Sequence, residues 1–134
     1  MKGPELSVRS GRSGKFMARI YVAGPMRFYA EHNFPAFDAA AKELRRAGWE
    51  VVSPAELDRL AHVHEFTDPL PPGFLRQAMK RDLASICDCD ALCLLPGWEQ
   101  SAGSQVELTL AKFLGLTIYD TISKAAEQWK VAVE

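Results

Sequence analysis

The stretch ALCLLPGWEQSAGSQVELTLAKFL, residues 91–114, decides the fold class of this chain. It opens with Ala91–Leu95, a continuous apolar run that is typical of a strand covered on both faces. A loop with Pro and Gly follows, and Ala102–Leu114 then shows the spacing of a helix that ends at Gly115. A buried strand with a helix directly after it indicates a β-α unit of a parallel sheet.

The same alternation of apolar runs and helical periods extends over the chain from Ala18 onwards. The predicted strands are Ala18–Ala23, Trp49–Ser53, Ala91–Leu95 and Leu116–Tyr119, and the predicted helices are 33–47, Pro54–Leu60, Gly73–Cys87, Ala102–Leu114 and 123–131. Asn33 and Ser123 are the predicted caps of the first and the last helix. Such alternation predicts an α/β fold, a single-domain three-layer sandwich with an open, mainly parallel sheet of the Rossmann or flavodoxin-like type.

Composition limits the classes of function. The 134 residues are 48% hydrophobic and 25% charged, as in one globular domain. No apolar run approaches the ~20 residues of a membrane-spanning helix, so we expect no membrane contact. The net charge of −1 argues against nucleic acid as a partner, because phosphate binding requires a basic surface. Residues 1–16 carry four basic residues and one acid without periodicity, which predicts a disordered tail before a domain over 17–134.

The cysteine and histidine residues give no metal-binding pattern. Cys87, Cys89 and Cys93 are an odd number in one short stretch, which is no disulfide framework and fits a reducing cytoplasm. Their spacing is not that of a zinc site, and His62 and His64 would need a third ligand. We therefore expect no metal and no other cofactor.

The loop after the first strand is one candidate for ligand binding, because ligands of open α/β sheets lie beyond the carboxyl ends of the strands. It holds Gly24, Pro25, Met26 and Arg27, whose amides and guanidinium could contact an anion. A structural turn explains the same residues, since the loop has neither dinucleotide-binding nor P-loop spacing.

The loop after the third strand is the more informative candidate. Ser101, Gly103 and Ser104 open a helix, and their free amides and hydroxyls are predicted to face a ligand at the positive end of its dipole. Glu107 follows one turn later on the face of small residues, where its carboxylate can reach the same ligand. The alternative interpretation is a capping box of Ser104 and Glu107.

Asp82 interrupts an otherwise apolar helix face formed by Leu75, Met79 and Ile86. Because burial of an unpaired carboxylate is costly, such a residue is either hydrogen-bonded at a helix terminus or held in a cleft. Two acids at the same strand ends could supply a nucleophile and a proton donor for glycosidic chemistry. We therefore expect the carboxyl groups of Asp82 and Glu107 to share one cleft.

Aromatic side chains also lie in the proposed ligand loops. Phe28, Tyr29 and Trp98 could stack on a base, and Trp98 could equally pack against the backbone of its own loop.

Five motifs carry a resemblance to a known family. They are IYVAGPM at Ile20–Met26, NFPAF at Asn33–Phe37, VVSPAEL at Val51–Leu57, MKRDL at Met79–Leu83 and CDALCLLPGWEQSAGSQVEL at Cys89–Leu108. Together they resemble an uncharacterised domain family common in phages and prophages, over almost all of the chain from Met17 to Tyr119. That family is similar in fold to the nucleoside 2-deoxyribosyltransferases and the 2'-deoxynucleoside 5'-phosphate N-hydrolases.

The resemblance implies a role for each candidate residue. Glu107 would be the nucleophile, and Asp82 would orient it or handle the proton of the leaving base. Ser101 and Gly103 would line the pocket around the sugar 5' position, and Gly24 and Arg27 would lie beside the sugar or its 5'-phosphate. The residues Pro25 and 96–98 depart from the pattern of the enzymes.

The activity implied by the resemblance is cleavage or transfer of the N-glycosidic bond of deoxynucleosides or deoxynucleoside 5'-monophosphates. It would run through a glycosyl-enzyme intermediate, in a cytoplasmic homo-oligomer. One alternative is a non-catalytic nucleotide-binding or sensing module of the same fold. Another is a structural phage protein with a vestigial pocket.

Overall fold

The computed structural model describes residues 18–61 and 72–133. Within these ranges the strands are β1 (Arg19–Ala23), β2 (Glu50–Val52), β3 (Ala91–Leu94) and β4 (Thr117–Tyr119). The helices are α1 (Phe34–Ala47), α2 (Pro54–Leu60), α3 (Phe74–Cys87), α4 (Ala102–Phe113) and α5 (Ile122–Val133). The predicted tail over 1–16, and His62 and His64, lie outside the described residues.

The strands form one open sheet in the order β2-β1-β3-β4, and every pair is parallel. Tyr21 lies opposite Val52 on one side and Leu92 on the other, which makes β1 a central strand. The predicted α/β fold with an open sheet is therefore confirmed, and the described sheet is wholly rather than mainly parallel. Each parallel connection carries a helix across the sheet, as parallel pairing requires.

The two faces of the sheet are covered by different helices. Ile20 and Val22 of β1 pack in a core cluster with residues of α1 and α5, and we call this side the α1–α5 face. Tyr21 and Ala23 pack with residues of α3 and α4, and we call this side the α3–α4 face. All four side chains are fully buried, which explains the continuous apolar run of a strand that is covered twice.

Two predicted helix caps are wrong. Asn33 precedes α1, but its backbone is left-handed and its side-chain amide donates to the Pro25 carbonyl at 2.9 Å, so it holds the preceding loop. At the start of α5, the Thr121 hydroxyl rather than Ser123 accepts a hydrogen bond from the Lys124 amide, at 3.1 Å. Both the Thr121 and the Ser123 hydroxyl are suitable N-cap groups, so the local sequence does not show which of them caps α5.

Candidate functional site

A pocket of about 330 Å³ opens at the carboxyl ends of the central strands. It is bounded by the loop after β1, the first turns of α1 and α4, and one side each of α2 and α3. The volume is at the lower end of the range for small-molecule sites, about 300–1,000 Å³. The position is the one expected for ligands of open parallel sheets.

Most of the residues predicted from sequence line this pocket. They are Gly24, Pro25, Met26, Arg27, Asp82, Ser101, Gly103, Ser104 and Glu107, together with the aromatic residues Phe28 and Tyr29. Trp98 is not among the lining residues, because its side chain packs against the core cluster of the α3–α4 face. The structure thus brings Asp82 and Glu107 into one pocket and leaves Trp98 out of it.

Glu107 lies on the inward side of α4 and is only 6% exposed. Its Oε2 accepts a hydrogen bond from the Tyr21 hydroxyl of β1, at 2.8 Å. Burial raises the pKa of Glu107 to about 8, because the Tyr21 hydrogen bond offsets only part of the desolvation and the negative charge of Asp82 adds to it. At this pKa the protonated form of Glu107 predominates at neutral pH.

The capping-box interpretation of Glu107 is wrong. The cap of α4 is Ser101, whose hydroxyl accepts from the Ser104 amide at 3.2 Å, and the Glu107 carboxyl is bound to Tyr21 instead. The prediction of a free Ser104 amide is therefore wrong, since this amide donates to the Ser101 hydroxyl. The Ser104 hydroxyl is buried at the pocket wall without a hydrogen-bond partner in the described part of the chain.

Asp82 has a different partner from Glu107. Its Oδ1 accepts from Nε and Nη2 of Arg81, at 2.9 and 2.8 Å. The same Nη2 donates to Oδ1 of Asp58, at 2.7 Å, so one guanidinium joins α2 to α3. Burial raises the pKa of Asp82, but the positive charge and hydrogen bonds of Arg81 oppose this and favour the ionised form.

The two carboxyl groups therefore differ in their electrostatic environment although both are buried. Asp82 faces a cation, whereas the hydrogen-bond partner of Glu107 is a neutral phenol. Burial raises the pKa of both groups, and at Asp82 the charge and hydrogen bonds of Arg81 oppose that rise. Paired acids whose environments separate their protonation states are typical of acid-base catalysis.

The loop after β1 holds an unusual backbone. Phe28, Glu31, His32 and Asn33 all have positive φ, a conformation that costs on the order of 1 kcal/mol or more for each non-glycine residue. Gly24 is required by close packing, since a Cβ there would lie 2.8 Å from Cβ of Leu95. The loop is thus a structural turn and a pocket wall at once, and such strain concentrates at functional sites.

Arg27 and Phe28 lie at the pocket mouth. The Arg27 guanidinium is 5.2 Å from the centre of the Phe28 ring, which is 95% exposed. Stacked on an exposed ring, the guanidinium keeps its hydrogen-bond donors available to a ligand.

Three residues of the site, namely Tyr21, Asp58 and Arg81, were not predicted from the sequence. Tyr21 lies in an apolar strand, where its aromatic ring is an ordinary core side chain. Its hydroxyl therefore gave no separate signal of function. Asp58 did carry a signal, because it follows the buried Pro54 by four residues and so lies on the inward face of α2. Arg81 precedes Asp82 directly, and neighbours in a helix do not ordinarily face each other.

Other classes of site find no support in the described ranges. No group of three or more His, Cys, Asp or Glu side chains is placed to hold a metal ion there. None of the three cysteines forms a disulfide bond, and Cys89 and Cys93 are buried. No helix within 18–61 and 72–133 combines the length and the apolar character needed to cross a bilayer.

Comparison with known proteins gives a family but no activity. No curated protein matches the sequence. A family model described as a domain of unknown function, DUF4406, matches residues 18–120, which include every strand, helices α1 to α4 and all of the pocket residues discussed above. The chain belongs to the DUF4406 family.

Proposed function

We propose that this pocket cleaves or transfers the N-glycosidic bond of deoxynucleosides or deoxynucleoside 5'-monophosphates. The observation that carries the proposal is the pair of buried carboxyl groups in one small pocket, of which one faces Arg81 and the other Tyr21. The family that the five motifs resemble is similar in fold to the deoxyribosyltransferases and N-hydrolases, and this similarity supports the same chemistry.

In the proposed mechanism, Glu107 is the nucleophile and Asp82 handles the proton. The proton of Glu107 passes to Asp82, directly or through the Tyr21 hydroxyl, which leaves Glu107 ionised. Glu107 then attacks C1' of the sugar, the C1'–N bond breaks, and its electron pair goes to the base nitrogen, which takes the proton from Asp82. Water or a second base then attacks C1' and gives a proton to the Asp82 carboxylate, and the bond from C1' to Glu107 breaks to release the Glu107 carboxylate.

The ligand pose follows from the charges around the pocket. A 5'-phosphate is best placed towards Ser101 and Arg27, where the positive end of the α4 dipole and a guanidinium favour it. The anomeric carbon lies over Glu107, since a carboxyl one turn into α4 would repel an anion placed nearer. Gly24 and Gly103, which line the pocket, lie beside the sugar in this pose.

The central test is incubation with a panel of deoxynucleosides and their 5'-monophosphates, in which chromatography measures the release of free base. Loss of the nucleophile in Glu107→Gln is expected to reduce turnover by on the order of 10³-fold or more. Glu43→Gln, at an exposed position of α1, is the matched control and is expected to leave turnover unchanged. Turnover that survives in Glu107→Gln would contradict the nucleophile assignment.

A second candidate function is a binding or sensing module without turnover. The pKa of Glu107, raised by burial to about 8, favours it, because a protonated carboxyl is no nucleophile at neutral pH. The enzyme hypothesis predicts that kcat/KM falls about twofold between pH 7 and pH 8, because the pocket then loses the proton that Asp82 must pass to the leaving base. Binding of nucleosides in calorimetry without base release anywhere between pH 6 and 9 would instead support the module.

The proposal extends to the setting of the protein, which would be a phage or prophage enzyme of nucleotide metabolism that acts in the cytoplasm as a homo-oligomer. The exposed apolar side chains of Leu75, Val106 and Phe113 on α3 and α4 support self-association. Light scattering at high concentration tests it, and a clean 14.9 kDa monomer would contradict it.

A further inference from the structure

The pocket has two chemically different ends. Sheet order places β1 between β2 and β3, so that α2, which follows β2, and α4, which follows β3, stand on opposite sides of the loop after β1. Ser101 and Glu107 belong to the α4 side, and Asp58 belongs to the α2 side. A sugar over Glu107 with its phosphate towards Ser101 therefore directs the base towards Asp58.

Asp58 is a buried carboxylate in the pocket wall, only 5% exposed. Arg81 binds one of its oxygens, Oδ1, at 2.7 Å, and also serves Asp82, so this one guanidinium is shared between two carboxylates. Burial raises the pKa of Asp58, and the hydrogen bond and charge of Arg81 oppose that rise. Asp58 thus presents to the pocket a buried carboxyl group whose ionised form is favoured by Arg81 and by the charge of His32.

We infer that Asp58 selects nucleobases that carry an exocyclic amino group over bases with a carbonyl at the same position, an inference that rests on the proposed function. An ionised carboxylate only accepts hydrogen bonds, so an amino group of cytosine or adenine satisfies it. A carbonyl oxygen of uracil or hypoxanthine would face the negative charge of Asp58. The carbonyl and the carboxylate are both acceptors, so neither would gain a hydrogen bond from the other. Sites built on one such polar contact discriminate strongly against the analogue that lacks it.

Matched substrate pairs isolate this effect, because the members of each pair differ in one group. Deoxycytidine is compared with deoxyuridine and deoxyadenosine with deoxyinosine, by kcat/KM for base release and by calorimetric affinity. The wild-type protein is expected to prefer the amino member by at least about tenfold in the pair whose ring size fits the pocket.

Asp58→Asn tests the residue. The amide keeps the shape of the side chain and an oxygen for Arg81, but it can turn an N–H donor towards the base. The preference is expected to fall to about twofold or less, or to reverse. Asp38→Asn is the matched control, since Asp38 also pairs with an arginine, Arg59, at 2.6 Å but lies outside the pocket lining. It is expected to leave the preference unchanged.

The outcomes separate this inference from the proposed function. Binding or release with no amino preference in the wild-type protein overturns the inference alone, and so does a preference that Asp58→Asn retains. If Asp58→Asn does not fold, as judged by circular dichroism, Asp58→Ser replaces it and the same loss of preference is required. If neither the four nucleosides nor their 5'-monophosphates bind or release a base, the proposed function and the inference both fail.

Discussion

The α1–α5 face and the α3–α4 face of the sheet bury different kinds of side chain. On the α1–α5 face, the large side chains Phe34, Phe37 and Trp49 fill the space against β1, and the indole N–H of Trp49 donates to the Ala125 carbonyl at 2.9 Å. On the α3–α4 face, the space towards the strand ends holds the Tyr21 hydroxyl and the carboxyl of Glu107. The side chains on both faces are buried, but those on the α3–α4 face include a carboxyl group that can titrate near neutral pH.

The α1–α5 face stabilises the fold by apolar burial, whereas the buried carboxyl groups of the α3–α4 face reduce its stability. Apolar burial contributes roughly 25 cal/mol for each Å² removed from water, and a large aromatic residue contributes most. A carboxyl group in the same kind of environment opposes folding unless it keeps its proton or has a partner. The α1–α5 face therefore stabilises the sheet that holds the buried acids of the α3–α4 face in place.

The largest effect is expected from Phe37→Ala on the α1–α5 face. Phe37 is fully buried and lies outside the pocket lining, so its truncation leaves a cavity and should lower the free energy of unfolding by about 3–5 kcal/mol. Urea unfolding measures this change, with the milder Phe37→Leu as a second variant. Nucleoside affinity, measured where the variant is folded, should not change. A parallel loss of affinity would show that the two faces are not separable.

The buried acid on the other face should make stability depend on pH. The unfolded chain loses the Glu107 proton near its usual pKa of 4.5, and burial delays that loss to a pKa of about 8 in the folded protein. The folded state binds more protons in this window, so the free energy of unfolding falls as pH rises through it. Glu107→Gln lacks this dependence, and relative to it the wild type should lose about 3 kcal/mol between pH 5 and pH 8.

Urea unfolding of both proteins at the two pH values gives the comparison. Glu43→Gln, with its exposed carboxyl, should follow the wild type. If the wild type and Glu107→Gln lose stability equally between pH 5 and pH 8, Glu107 does not hold a buried proton in the folded state.

Apolar periodicity is what made most of the fold and part of the site predictable. Ala91–Leu95 gave no polar position, so a doubly covered strand was the consistent interpretation, and its partners followed from the alternation of elements. Asp82 could be singled out because it interrupts an apolar helix face. Glu107 could be singled out because it follows a helix start built from small residues.

The partners of these acids could not be predicted in the same way, because they depend on how separate elements meet. Tyr21 and Glu107 are 86 positions apart, and Arg81 and Asp58 are 23 apart. A tyrosine in a buried strand and an arginine on a helix each have ordinary structural explanations. Only the tertiary arrangement shows which carboxyl group is bound by a cation and which by a phenol.

The smallest expected effect, and the most specific one, concerns two tyrosine hydroxyls that lie on opposite faces. The Tyr21 hydroxyl donates to Glu107 and lowers the pKa of that carboxyl against the larger effect of burial. Tyr21→Phe removes the donor, so the pKa of Glu107 should rise further, by about one unit for a hydrogen bond to a charged group. Carbon-13 NMR titration of the glutamate carboxyls measures this shift whether or not the protein turns over a substrate.

Tyr119 offers the matched control on the α1–α5 face. Its hydroxyl is also buried, but it has no hydrogen-bond partner within residues 18–61 and 72–133. Tyr119→Phe should therefore leave the Glu107 titration unchanged and should leave stability equal or slightly higher, because a hydroxyl without a partner is removed. For the enzyme, kcat/KM at pH 7 should fall about tenfold in Tyr21→Phe alone, because a Glu107 pKa that is one unit higher makes transfer of its proton to Asp82 about tenfold less favourable. Equal effects of the two substitutions would show that the Tyr21 hydroxyl does not control the proton of Glu107.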